Sequence, residues 1–227
     1  MDKIICLDLD DTLIQTQECY YNTNNNLVTL LQKKKNLHRE EILEKQSEID
    51  ISLISKKGFS PVRFPTSWVK TFKHFLNESY FCQEEIFNEA YKVFTNKIRL
   101  HNDAERFLNR IKESEFSVWI VTHGDLEIQN KRIKDINLDW VDKVIISRHK
   151  NIEMYEELKT DSHKPLVMIG NSVRHDIIPA LEAGLEGIHI KRERVWQYDI
   201  SNPNHSYRSF NSLDEIWNYI TEEESLC

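Results

Sequence analysis

The sequence predicts an α/β protein in which a parallel sheet of about five strands is interrupted by a helical insertion. Three observations carry the prediction. Short apolar runs recur through 102–227 with amphipathic stretches between them, the alternation that builds a parallel sheet between helical layers. A further apolar run, Lys3–Leu9, opens the chain. The residues between carry only helical periodicity, and at roughly 85 residues the stretch is far too long for a loop. The expected domains are therefore 1–14 with 102–227 as the α/β core, and 15–101 as an inserted helical domain.

Taken in order, Lys3–Leu9 is the first strand. In the insertion, apolar residues at helical spacing occur near Ile42, Leu43, Leu53 and Ile54, with Lys56-Lys57-Gly58 as a stop. They recur at Trp68, Phe72 and Phe75, and again at Ile86, Ala90, Tyr91 and Phe94. Seven of the ten phenylalanines lie here, as expected for the core of a small helical bundle. The patch Asn22–Asn26 reads as a turn or a helix start. Beyond it, 116–122, 143–147, 165–170 and 187–191 read as strands buried on both faces, because they are almost continuously apolar. Helices are expected at 103–114, 125–135, 151–160 and 174–183, with Gly184 closing the last. Ser212 and Glu215 form a capping-box pattern opening a final helix.

Composition narrows the function. The 227 residues are enough for one full core and a smaller second one. A net charge of −7 does not favour a nucleic-acid partner. No window is apolar enough for a membrane span, and Asp8 interrupts the first apolar run before it resembles a signal peptide. Cys6, Cys19, Cys82 and Cys227 show no CxxC pairing, which fits a reduced, cytoplasmic protein.

In an open parallel sheet, ligands bind beyond the carboxyl ends of the strands. Those ends carry Asp8, Asp10, Asp11 and Thr12; Thr122, His123 and Gly124; Arg148, His149 and Lys150; and Asn171, Ser172, His175 and Asp176. Crowded carboxylates raise one another's pKa, so a cation is expected among them. Asp8, Asp10 and Asp176 suit a hard, oxygen-seeking ion such as Mg2+. Thr122 and nearby backbone N–H groups can donate to a phosphate, and Lys150 can neutralise acids and an anionic substrate. A carboxylate in such a setting can act as a covalent nucleophile. Gly124 and Gly170, two of only five glycines, fall at these ends. Asp11, if the chain stays extended, points away from Asp8 and Asp10. Arg63 and Arg148 are candidates to bind substrate anions, with surface ion pairing as the plainer reading. Lys164 precedes its strand and belongs at the far end of the sheet, so Lys150 is the better site lysine.

With these motifs in this order, the chain resembles the haloacid dehalogenase superfamily of phosphohydrolases. Asp8-Leu-Asp10-Asp-Thr12 matches the DxDxT motif, Val118–Thr122 the apolar run ending in Thr, Lys150 the lone lysine, and Gly170–Asp176 the final acidic motif. The resemblance covers about 1–13 and 102–191. It implies a three-layer, Rossmann-like core with a helical cap of the C1 type at 15–101. It further implies Asp8 as nucleophile, Asp10 as acid and base, Thr122 as phosphoryl binder and Lys150 as charge neutraliser. The Asp8 carboxylate, the Asp10 carbonyl and the Asp176 carboxylate would hold Mg2+. His123 and Gly124 would touch substrate, and Asn171 would stand behind the metal where an Asp is common. The implied reaction is hydrolysis of a small phosphorylated metabolite. A phosphomutase, a 2-haloacid dehalogenase, which needs neither the second acid nor a metal, and a non-catalytic binding protein are the alternatives. The oligomeric state is left open by the sequence.

Overall fold

The computed structural model describes residues 3–196, 198 and 206–222. The chain forms two compact units, one from the segments up to Gln15 and from Ile98 onward, the other from Thr16–Lys97.

The first unit is built on six strands: β1 (Ile4–Leu7), β2 (Ser117–His123), β3 (Lys143–Ser147), β4 (Leu166–Gly170), β5 (Glu186–Ile190) and β6 (Arg208–Phe210). They lie in the order β3-β2-β1-β4-β5-β6, every neighbouring pair parallel. The order turns at β1, between β2 and β4, the place where an α/β sheet opens a crevice. Ile4, Cys6, Trp119, Val121, Leu166 and Met168 pack on one face with Tyr155, Leu158 and Ala180. These come from two helices, α8 (Ile152–Ser162) and α9 (Ile178–Glu182), of the ten α-helices numbered in chain order among the described residues. Ile5, Leu7, Val118, Ile120, Val167 and Ile169 alternate with the first set and are equally buried, as a sheet covered on both faces requires. Burial also pushes the Cys6 thiol up to about 12.

The five expected strands are present, with two differences. The expectation that every run is buried on both faces does not hold for β3. It is the sheet's edge, and Val144 is exposed there. The sixth strand, β6, has three residues and no apolar run, and its neighbour β5 supplies its pairing.

Helices α6 (Asn102–Lys112), α7 (Leu126–Asp135) and α10 (Leu213–Glu222) complete the unit. The Ser212 hydroxyl accepts from the Glu215 amide (3.2 Å), while the Glu215 carboxylate accepts from the Asn211 amide (3.0 Å), a box shifted by one residue. The two chain crossings to the helical unit are tied together: the Gln15 amide donates to Arg99 and the His101 amide donates to Leu13 (2.8 and 2.9 Å).

The second unit holds α1 (Thr16–Gln32), α2 (Arg39–Ser52), α3 (Ile54–Lys57), α4 (Arg63–Phe75) and α5 (Gln83–Thr95). Its core gathers Leu27, Leu31, Ile42, Phe64, Trp68, Phe72, Ile86 and Ala90, with Phe75, Phe81 and Phe94 partly buried around them. Gly58 ends α3 at a positive φ of 56°, where a side chain would be strained. The Asn22–Asn26 patch is neither turn nor helix start but lies inside α1. Packing of Leu27, Val28 and Leu31 overrides the local preference, and the amides have partners elsewhere. Asn24 accepts from the Trp68 indole (3.0 Å), and Asn26 donates to Glu89 (3.2 Å). Arg63 is buried beside Asp50 (3.4 Å) within this unit, rather than displayed for a substrate anion. No helix among the described residues is long and apolar enough to cross a membrane, and Cys227 lies outside the described residues.

Candidate active site

The site begins where β1 ends. The Asp8 amide still donates to the Ile169 carbonyl (3.0 Å), so the side chain leaves the sheet from a fixed base. The chain then turns sharply rather than running extended. Leu13 and Ile14 both donate back to the Leu9 carbonyl, and Asp11 adopts φ 59°. Asp11 is therefore not on an extended chain, as expected, but buried in a left-handed turn. Arg192, just beyond β5, clamps this turn. Its guanidinium donates to the carbonyls of Asp11 (3.1 Å) and Thr12 (2.6 Å) and to both oxygens of Asp103 on α6 (3.1 and 2.9 Å).

Asp8, Lys150 and Asp176 come together. The Lys150 ammonium donates to Asp8 Oδ1 (2.5 Å) and Asp176 Oδ1 (2.7 Å), and its side chain is fully buried. The Thr12 hydroxyl donates to Asp8 Oδ2 (2.8 Å), and the Ser172 amide donates to Asp176 Oδ2 (3.0 Å). Burial pushes the Asp8 carboxyl up to about 7; Asp176 pushes the same way, and Lys150 pulls it back. Burial also works against the Lys150 ammonium, but the charges of Asp176 and Asp8 outweigh it and hold its pKa above the ordinary value. Lys164, by contrast, is exposed ahead of β4.

The Asp176 carboxylate depends on an unusual turn. Residues Val173–Ile177 form a wide helical turn in which Ile177 donates to the Ser172 carbonyl (3.3 Å), so the expected regular helix over 174–183 is broken at its start. Pro179 has no N–H for the His175 carbonyl, and the Tyr155 hydroxyl donates to that oxygen instead (3.3 Å). Gly170 leaves room for the carboxylate: a Cβ there would lie 2.2 Å from Asp176 Oδ2.

Asp10 and Thr122 meet through residues that the sequence reading missed. From α7, Gln129 Nε2 donates to Asp10 Oδ2 (2.8 Å) and Thr122 Oγ1 (2.6 Å), and Arg132 donates to Asp10 Oδ1 (2.6 Å). Gln129 and Arg132 stand three apart on one helix face, but nothing in that spacing points to Asp10. Asn171 lies behind Thr12. Its amide N–H donates to the Thr12 hydroxyl (3.0 Å), and its side-chain oxygen is 3.2 Å away.

Gly124 differs from expectation: its N–H donates to the Ser147 carbonyl at the end of β3 (3.2 Å) and so is not open to a phosphate in this structure. His123 and His175 place their rings 5.3 Å apart beside the site. Burial holds the His175 imidazole down at about 4. Arg148 is exposed.

The donors suit a hard cation. Asp8 and Asp176 are two nearly buried carboxylates sharing one ammonium, which leaves negative charge in the crevice. Among the described residues no three Asp, Glu, His or Cys side chains converge on one point, so a third protein oxygen would come from the main chain, as the Asp10 carbonyl. An all-oxygen set of this kind fits Mg2+.

A family model described as haloacid dehalogenase-like hydrolase matches residues 3–184. No curated protein matches the chain. Among solved structures, a haloacid dehalogenase-like family hydrolase from Xanthomonas campestris is 18% identical over 97% of this chain and 95% of its own, with a TM-score of 0.76. The HAD-hydrolase YfnB from Bacillus subtilis, bound to magnesium, is 15% identical over 96% and 98%, with a TM-score of 0.67. L-2-haloacid dehalogenase from Xanthobacter autotrophicus is 12% identical over 97% and 99%, with a TM-score of 0.63. These likenesses establish a shared fold, while the family match spans most of the sequence. The chain belongs to the haloacid dehalogenase-like hydrolase family.

Proposed function

We propose that the protein is a Mg2+-dependent phosphatase that hydrolyses a small phosphorylated metabolite through an aspartyl-phosphate on Asp8. The observation that supports this most is the fully buried Lys150 ammonium held between Asp8 and Asp176. It keeps the Asp8 carboxylate fixed in a dry site, where an oriented nucleophile is most effective.

In this reading an Asp8 oxygen attacks phosphorus and the bond to the ester oxygen breaks. Asp10 gives that oxygen its proton. Asp10 then takes a proton from a water whose oxygen attacks the same phosphorus, the bond to Asp8 breaks, and inorganic phosphate leaves. Thr12 keeps the second Asp8 oxygen in place. Thr122 donates to a phosphoryl oxygen, and Lys150 offsets the negative charge that gathers on the group. The carboxylates of Asp8 and Asp176 and the carbonyl of Asp10 are the groups that would hold Mg2+. When bound, the ion supplies Lewis-acid polarisation of the phosphoryl oxygens. The helical unit 16–97 serves as the cap that excludes water and selects the substrate.

The acid at position 10 favours phosphoryl chemistry over dehalogenation, which has no leaving oxygen to protonate. Metal-dependent release of inorganic phosphate from a panel of sugar phosphates, nucleotides and phosphoacids tests the reading. Release of halide from 2-haloacids without metal, or isomer formation without phosphate release, overturns it.

A further inference from the structure

Gln129 sits where the phosphoryl binder and the proton carrier meet, and its hydrogen bonds have a fixed direction. Arg132 can only donate, and its Nη1 lies 3.2 Å from Gln129 Oε1, so that oxygen must face Arg132. The amide nitrogen therefore faces the other way, toward Asp10 Oδ2 and Thr122 Oγ1. When ionised, the Asp10 carboxylate accepts only, which demands the same orientation independently. The side chain is fully buried, and Gly124 closes over it at φ 142°, where an added Cβ would sit 3.4 Å from the Gln129 side-chain carbons.

The consequence falls on Thr122. A hydroxyl has one proton, and the lone pair facing Gln129 is already accepting from the amide at 2.6 Å. The Thr122 proton must therefore point elsewhere. Among the described residues, the Thr122 hydroxyl has Gln129 as its one hydrogen-bond partner, so that proton is not committed to another protein acceptor. The Asp10 carboxylate accepts from Gln129 and Arg132, and among the described residues Thr122 makes no hydrogen bond to it.

We propose that Gln129 is a positioning residue that sets the direction of the Thr122 hydroxyl, so that it meets an anionic phosphoryl oxygen as a donor. Arg132 fixes the amide that does this. The assignment rests on the phosphatase reading, and it concerns how inorganic phosphate is bound as well as how an ester is cleaved.

The test is a double-mutant cycle on phosphate binding, measured by calorimetry with inorganic phosphate and Mg2+ and, in parallel, by product inhibition of phosphate release. Gln129→Met keeps the volume and removes the amide. It should weaken phosphate binding by about five- to tenfold, the scale of one net hydrogen bond. In a Thr122→Val background the same change should have less than about a twofold effect, because there is no hydroxyl left to orient. Gln129→Glu reverses the polarity and adds a charge; the charge acts in both backgrounds, so only the difference between them is diagnostic. Melting curves establish that each variant is folded, and Gln129→Glu completes the cycle if Gln129→Met is not. Equal weakening with Thr122 and with Thr122→Val, or no weakening in either, overturns the proposal while leaving the phosphatase reading intact. A wild-type protein that neither binds phosphate nor releases it overturns both.

Discussion

Gly170 and Asp176 are built around each other: the space in which a Cβ at 170 would sit is filled by the Asp176 carboxylate, 2.2 Å from Oδ2 and 2.4 Å from Cγ. A strand residue with no side chain thus lets a buried acid stand against the carboxyl end of β4.

Gly170→Ala should therefore displace Asp176 and unsettle its bonds to Lys150 and the Ser172 amide. The blocking atoms belong to a nearly fully buried residue, so they cannot swing away into solvent. Overpacking of this kind costs about 1–3 kcal/mol. Denaturant melts should show that loss together with a raised Mg2+ requirement. Wild-type stability and metal dependence would contradict the described packing.

Asp176→Ala tests the metal assignment. The Mg2+ concentration for half-maximal activity should rise by at least the ~10–100-fold that follows loss of a partner behind a metal ligand. An unchanged requirement would assign the ion to other oxygens.

Lys150→Met should behave differently. It leaves two buried carboxylates without the ammonium between them, a defect on the order of 3–5 kcal/mol. The melting temperature should fall in chelator and recover in part with Mg2+. Equal melting with and without Mg2+ would argue that no cation enters there.

The raised Asp8 pKa makes the metal-free protein sensitive to pH. Its ordinary value is 3.8 and burial, then Asp176, push it to about 7. The folded state therefore binds this proton more tightly than the unfolded chain. The resulting stability is present below about pH 4 and is lost as pH rises through about 7. Buried His175, held down at about 4, works in the opposite sense over part of that range. The comparison is therefore wild type against Asp8→Asn in chelator. Wild type should lose stability relative to the variant between pH 4 and 7, and parallel melting profiles would contradict the electrostatic account.

In the helical unit, Asn24→Ala leaves the Trp68 indole N–H without its acceptor. Trp68 is fully buried, so the cost should be about 1–3 kcal/mol in urea melts. A neutral change would mean that the contact is unimportant in solution.

Much of this architecture is legible in the sequence because burial leaves a periodic trace. The central strands β1, β2 and β4 are continuous apolar runs, and the acids and lysine at their ends stand out against them. β6 leaves no such trace, since three residues at an edge can be held by a neighbour's backbone. The asparagines of α1 also misled, because their partners on other helices are decided by tertiary packing. At the site, Asp8, Lys150 and Asp176 are chemically conspicuous. Gln129, Arg132 and Arg192 are not: each is an ordinary polar residue until the fold directs it at Asp10, Thr122 or the turn after β1. The Gly124 amide shows the converse, a group with plausible chemistry that the sheet already engages.

The central claim is that Asp8 is the nucleophile of a metal-dependent phosphatase, and its most direct test is phosphate release by wild type and Asp8→Asn across a substrate panel, with Mg2+ and with chelator. The account predicts release by wild type with Mg2+ only, and none by a variant that remains folded. Release by Asp8→Asn at a wild-type rate would contradict it.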